Sequence, residues 1–211
     1  ISAIIPRASG GFVLVSHDRL LFWDEDGSLS TFAEANLPAP GETMNDAKCD
    51  TRGRIFVGTL FYDFTKGTNA LYKFDTDGTF TKMMSNVSIS NGLDWSPDEK
   101  TFYYADSMGG GIYAFDYDIE HGTIANRRQF TVFEPASGLP DGLVVDAEGN
   151  LWVAMFLTGH IRKYSPSGEW IETVSVPVPE ATSCAFGGSD MTSLFITSGR
   201  QFYPDLIAIA G

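Results

Sequence analysis

One unit recurs along this chain: a polar residue opens a short apolar strand, a turn built on Asp, Gly or Pro follows, and a second strand rich in aromatic and aliphatic residues comes next. Four copies are plain. Asn45-Asp46-Ala47-Lys48-Cys49-Asp50 leads to Gly53-Arg54-Ile55-Phe56-Val57, and Asn91-Gly92-Leu93-Asp94-Trp95-Ser96-Pro97-Asp98 leads to Phe102-Tyr103-Tyr104. Asp141-Gly142-Leu143-Val144-Val145-Asp146 leads to Gly149-Asn150-Leu151-Trp152-Val153, and Thr182-Ser183-Cys184-Ala185-Phe186 leads to Leu194-Phe195-Ile196. A fifth copy opens the chain, from Ser2 through Gly10-Gly11-Phe12-Val13-Leu14-Val15, so the unit returns about every 40 to 50 residues.

Each complete unit adds a third strand, such as Leu71-Tyr72-Lys73-Phe74-Asp75 or Ile161-Arg162-Lys163-Tyr164-Ser165, and a fourth, such as Thr79-Phe80-Thr81-Lys82. Four short antiparallel strands per unit, with Asp-Gly or Ser-Gly hairpin signals between the third and fourth, describe a propeller blade. The expectation is an all-β, six-bladed β-propeller with five repeat units visible and the first blade largely absent. Residues 1–211 read as one domain, incomplete at the N-terminus and open to being incomplete at the C-terminus. The 22 glycines beside 16 Phe, 8 Tyr and 4 Trp suit short strands joined by tight turns.

Charge narrows the partners. With 14 basic and 27 acidic residues the net charge is −13, which repels nucleic-acid phosphates and anionic membrane surfaces. No apolar run approaches the roughly 18 to 20 residues that span a bilayer, and the opening Ile1-Ser2-Ala3-Ile4-Ile5-Pro6-Arg7 lacks the order of a signal peptide. Neither nucleic acid nor a membrane is an expected partner, and the expected location is cytoplasmic. Cys49 and Cys184 form no CxxC pair or thiolate zinc site and read as buried free thiols in a reducing compartment. The triplet Asn86-Val87-Ser88 matters only if the protein is secreted.

In a propeller the first strand of each blade lines the central channel, so the residues that open the units are neighbours in space. Here they are Ser2, Asn45, Asn91, Asp141 and Thr182. One carboxylate and two amide carbonyls facing a cavity suit a hard cation such as Ca²⁺. Such a cation polarises an ester carbonyl while a nearby Asp takes a proton from water. Taken singly, Asn-Gly and Asp-Gly are also ordinary turn dipeptides; their shared repeat phase is what favours a ring of ligands. Asp46, Asp106 and Asp205 are further polar candidates, Asp106 either lining the pocket or ending its strand. His17, His121 and His160 share no repeat phase and read as exposed loop residues, while Trp95 and Trp152 read as packing.

The segments Ile89-Ser90-Asn91-Gly92-Leu93-Asp94-Trp95-Ser96-Pro97-Asp98, Phe102-Tyr103-Tyr104-Ala105-Asp106-Ser107 and Leu139-Pro140-Asp141-Gly142-Leu143-Val144-Val145-Asp146 resemble the senescence marker protein (regucalcin)/gluconolactonase/luciferin-regenerating family, as does Thr182-Ser183-Cys184-Ala185-Phe186-Gly187-Gly188. The resemblance implies a six-bladed propeller holding one catalytic divalent metal at the top of its channel, that hydrolyses sugar lactones or related esters; the oxygen donors make Ca²⁺ the first expectation, with Mn²⁺, Zn²⁺ or Mg²⁺ as alternatives. It implies Asn91 and Asp141 as metal ligands, Asp141 also as general base, and Asn45 as a substrate contact that reaches the metal through water. The family's remaining ligand, a Glu in a Gly-Glu-Gly/Ser-Pro stretch, has no counterpart in this chain. Where the family often carries an Arg two residues before the substrate Asn, this chain has Thr43, which leaves the substrate open. The family is also longer at both ends. Two explanations follow: a longer chain whose first strands close the ring and supply the Glu, which is preferred because an open ring leaves apolar faces in water, or closure by pairing with a second copy.

The leading functional expectation is thus a metal-dependent hydrolase of small-molecule lactones or esters. The alternatives are a non-catalytic propeller that binds Ca²⁺ or a partner, and phosphotriester hydrolysis at the same site.

Overall fold

The computed structural model describes residues 1–199, and Asp205 lies outside them. Four antiparallel sheets follow one another along the chain, each with its strands hydrogen-bonded in sequence order. They are β1 (Ala3–Pro6), β2 (Phe12–Val15), β3 (Arg19–Trp23) and β4 (Leu29–Glu34); β5 (Thr43–Cys49), β6 (Ile55–Leu60), β7 (Asn69–Phe74) and β8 (Phe80–Val87); β9 (Ser90–Trp95), β10 (Thr101–Asp106), β11 (Gly111–Asp118) and β12 (Thr123–Thr131); and β13 (Leu139–Val145), β14 (Leu151–Phe156), β15 (His160–Tyr164) and β16 (Trp170–Ser175). A two-stranded sheet, β17 (Ala181–Gly187) and β18 (Ser193–Ser198), comes last among the described residues. These are the all-β propeller units that the repeat predicts, and five successive units are consistent with a six-bladed ring. No helix among the described residues is long and apolar enough to cross a membrane.

Position within a sheet decides each strand's chemistry. The middle strands β6 and β7 are buried along their whole length and read as Ile-Phe-Val-Gly-Thr-Leu and Asn-Ala-Leu-Tyr-Lys-Phe, with no polar face to give to solvent. The fourth strands face outward, and β16 is exposed throughout. Each core cluster fills the space between two consecutive sheets rather than the interior of one. Val13, Val15 and Leu20 of the first sheet meet Met44, Val57 and Phe74 of the second, and Phe56 and Leu71 of the second meet Phe102, Tyr104 and Phe115 of the third. The third and fourth sheets share Tyr103, Ile112, Leu151 and Met155; the fourth and fifth share Ala154, Ile161, Ala181 and Cys184. Burying one large apolar side chain stabilises by about 1.5–3 kcal/mol, so the stacking of faces supplies the main drive for the array.

The first strands β5, β9, β13 and β17 lie side by side at the inner edge of their sheets. Each contains a register shift of one extra residue against its second strand, between Met44 and Ala47, Ser90 and Leu93, Pro140 and Leu143, and Ala181 and Ser183. The four bulges fall at one repeat phase, the phase of Asn45, Asn91, Asp141 and Thr182. A bulge breaks the strict alternation of side chains and re-aims them. Gly92 and Gly142 lie inside strands, so Asn91-Gly92 and Asp141-Gly142 are not turns. Their glycines serve close approach instead: a Cβ on Gly92 would meet the Asp141 carbonyl oxygen at 2.6 Å, and one on Gly142 would meet the Ser183 Cβ at 2.5 Å.

A buried polar staple joins the second and third sheets. The Asp50 carboxylate accepts the N–H groups of Arg52 and Arg54 at 3.0 and 2.9 Å, the Arg54 Nε at 2.7 Å and the Tyr117 hydroxyl at 2.6 Å. Arg54 also donates to the carbonyls of Ile119 and Glu120, across the sheet boundary. Removing one partner strands the other charge out of water, so Asp50→Ala is expected to cost about 3–5 kcal/mol, against about 1–2 kcal/mol for Tyr117→Phe. Urea unfolding checks this, and equal losses in the two variants would argue against a charge-centred staple.

Candidate metal and catalytic site

The bulges bring Asn45, Asn91 and Asp141, from three consecutive sheets, to the same end of the inner strands. Asn45 Nδ2 donates to Asn91 Oδ1 and to the Ser90 carbonyl, both at 2.7 Å. Asn91 Nδ2 donates to Ser107 Oγ at 2.7 Å, and Ser107 Oγ donates to the Pro140 carbonyl at 2.5 Å, one residue before Asp141. A continuous hydrogen-bonded line therefore runs from the second sheet to the fourth.

Asp46 belongs to this group, although alternation along an unbroken strand would turn it away from Asn45. It follows Asn45 inside the bulge, and its carboxyl and that of Asp141 interact through charge. Burial pushes the Asp141 carboxyl well above the usual carboxylate range, and the Asp46 charge adds to the rise, against a smaller opposing hydrogen bond from the Gly142 backbone. Burial likewise pushes Asp46 up to about 6, opposed by the Ala47 N–H and the Lys48 charge, with Asp94 adding a further small rise. The cation closest in sequence, Lys48, is committed elsewhere: its Nζ pairs with Asp94 at 2.5 Å, and Asp94 also accepts the Val145 N–H at 2.7 Å and the Trp95 N–H at 2.9 Å. Neither Asp46 nor Asp141 takes part in a salt bridge among the described residues.

Two half-buried carboxyls without an ion pair, beside the side-chain amides of Asn45 and Asn91, form a donor set that fits a hard dication. Among the described residues no three His, Cys, Asp or Glu side chains converge as a ligand cluster, so amide oxygen has to contribute. Asn91 Oδ1 and Asp141 are placed to do so, with Asn45 and Asp46 beside them.

Other expected residues take different places. Asp106 ends its strand and does not face the cavity: it is 3% exposed, and its carboxylate accepts the N–H groups of Ser88 and Ile89 at 3.0 Å, a backbone-capping role that satisfies both oxygens. Thr43 is buried at the start of β5, its hydroxyl 2.8 Å from His17 Nδ1, so the first sheet closes over it. His17 and His121 are exposed loop residues, as expected. His160 is not: it opens β15, is half-buried, and has its Nδ1 out of contact with solvent. Trp95 packs among Phe56, Phe102 and Tyr117, and Trp152 against Phe186 with Lys163 over its ring. Both cysteines are free thiols, Cys184 buried and Cys49 half-buried. Sequence reasoning assigned no role to Ser107; only its place just after the second strand of Asn91's own sheet, within reach of the bulge, reveals one.

The raised Asp46 value has a defined sign. A carboxyl whose folded pKa of about 6 lies above its ordinary 3.8 favours the fold when neutral, so its contribution is complete below about 4 and lost as pH rises through 6. The loss is on the order of 3 kcal/mol by neutral pH. Urea midpoints of the metal-free protein are expected to fall between pH 4 and pH 8 by more in the unaltered chain than in Asp46→Asn; parallel pH profiles would contradict this. An added dication should raise the midpoint at pH 8 more than at pH 4.

Residues 1–200 match the family model described as the SMP-30/Gluconolactonase/LRE-like region. Regucalcin of Danio rerio is 40% identical over 202 residues, covering 94% of this chain and 68% of the relative. Among solved structures, a luciferin-regenerating enzyme superposes with a TM-score of 0.89 at 34% identity, covering 97% of this chain and 72% of the other. A calcium-binding regucalcin from Agrobacterium tumefaciens superposes with a TM-score of 0.91 at 29% identity, covering 99% of this chain and 71% of that one. With its repeat, its bulged inner strands and these matches together, the chain belongs to the SMP-30/gluconolactonase/luciferin-regenerating enzyme-like family.

Proposed function

We propose that this chain carries the site of a divalent-metal-dependent hydrolase of lactones or related small esters. The observation that carries the reading is the pair of half-buried carboxyls, Asp46 and Asp141, which interact through charge without an ion pair, beside the oxygen of Asn91. Asn91 and Asp141 would hold the metal, and Ca²⁺ fits this all-oxygen set better than the nitrogen- and sulfur-seeking Zn²⁺, with Mn²⁺ and Mg²⁺ as further oxygen-binding candidates. When bound, such an ion supplies Lewis-acid polarisation of the ester carbonyl and lowers the pKa of water.

The chain's own groups supply the rest. Asp141, the carboxylate that opens the fourth unit, would take a proton from the attacking water. Asn45 has its Nδ2 committed to Ser90 and Asn91, so its Oδ1 is the atom left to accept a hydrogen bond from substrate. The gluconolactonase in the family's name and the luciferin-regenerating enzyme among its relatives support small-molecule chemistry at this position.

A second reading rests on the same acidic centre. The Agrobacterium relative is described as calcium-binding, and a chain that holds Ca²⁺ without turnover would use the same oxygens. Steady-state hydrolysis of a panel of sugar and aliphatic lactones separates the two. Asp141→Ala is expected to lower kcat/KM by about 10²–10⁴ with the fold retained by circular dichroism. Chelation should abolish turnover, and one particular dication should restore it. Calcium binding with no hydrolysis of any lactone in the panel would establish the binding reading and end the catalytic one.

A further inference from the structure

Ser107 follows β10, is 7% exposed, and is fixed by its own N–H donating to the Ile89 carbonyl at 3.1 Å. Its hydroxyl has one proton. That proton goes to the Pro140 carbonyl, which is an acceptor only, across 2.5 Å. Towards Asn91 the Ser107 oxygen can therefore only accept, so the 2.7 Å contact has to come from the amide nitrogen of Asn91. The Asn91 carbonyl oxygen then faces the other way, towards Asn45 and the channel.

The same logic reaches the next residue. Asn45 meets Asn91 Oδ1 and the Ser90 carbonyl, both acceptors, so it has to present its nitrogen to them, and its own Oδ1 is left for the cavity. The two ends of a primary amide have nearly the same size and shape, so packing alone does not choose between them; the hydrogen-bond partners do. A flipped Asn91 would aim an N–H group at a cation, which repels it.

We infer that Ser107 is a positioning residue: by passing on the fixed polarity of the Pro140 carbonyl, it holds the nitrogen of Asn91 away from the channel so that its oxygen faces it, while the Ser90 carbonyl fixes the Asn45 amide on the other side. This rests on the metal reading above. It assigns a function to a residue that touches neither metal nor substrate, and it links the orientation of the third sheet's ligand to the backbone of the fourth.

The test is calcium binding by titration calorimetry on the full chain, which needs no turnover. Ser107→Ala is expected to weaken binding about tenfold or more, in line with the loss of other groups that orient metal ligands, with the fold retained by circular dichroism although the urea midpoint falls as two buried hydrogen bonds are lost. Ser107→Thr, which keeps the hydroxyl, should bind within about threefold of the unaltered chain. The decisive comparison uses Asn91→Asp, whose two terminal atoms are both oxygens and for which orientation has no meaning. There, adding Ser107→Ala should change affinity by less than about threefold, so the two substitutions are strongly non-additive. Equal losses in both backgrounds, or undiminished binding in Ser107→Ala, would overturn the positioning role while leaving the metal reading intact. Absence of calcium binding by the unaltered chain would overturn both.

Discussion

Consecutive inner strands approach one another so closely that a single methyl group at Gly92 or Gly142 would strike the neighbouring strand. Much else follows from that contact. It forces glycine beside the residues that open the third and fourth units, it accompanies a bulge at the same phase in each inner strand, and it brings Asn45, Asn91 and Asp141 within one small region. The candidate site residues and a close approach between inner strands thus share a position. A substitution that relaxes the packing also moves a candidate ligand, and the candidate site owes its geometry to backbone contacts rather than to loops.

Charge completes the arrangement. Asp46 and Asp141 lie half-buried within reach of each other's charge, and Lys48, which could have neutralised one of them, is held by Asp94 farther along the strands. Loss of contact with water raises the proton affinity of both carboxyls, and at Asp141 the Asp46 charge adds to the rise, so the centre is poorly compensated at neutral pH. A bound dication would relieve the same imbalance, so proton and metal compete for one electrostatic need.

The fold was legible in the sequence because the repeat is a property of patterning: an apolar pair of middle strands, a polar opening residue and turn chemistry recur in phase, and stacked sheets demand that order. Asn91 and Asp141 were legible for the same reason, as members of a series. Asp46 stood out less because reading a strand by alternation assigns neighbours to opposite faces, and a bulge cannot be seen in the order of residues alone. Ser107 was hidden because its role depends on one hydroxyl proton meeting a carbonyl from another sheet. Asp106 misled because a carboxylate that ends a strand beside the site looks the same in sequence whether it faces a cavity or caps two backbone N–H groups.

The core clusters lie between sheets, and no sheet encloses a core of its own. A blade taken singly is therefore only half of two interfaces, and its apolar faces acquire partners when its neighbours arrive. Since the constellation around Asn91 draws on the second, third and fourth sheets, it comes into existence only once three consecutive blades have docked. Ligand affinity at that point is in effect a gauge of long-range cooperativity: it senses the assembly of the middle of the array, and damage to any of those three units is communicated to the site without a substitution ever touching it.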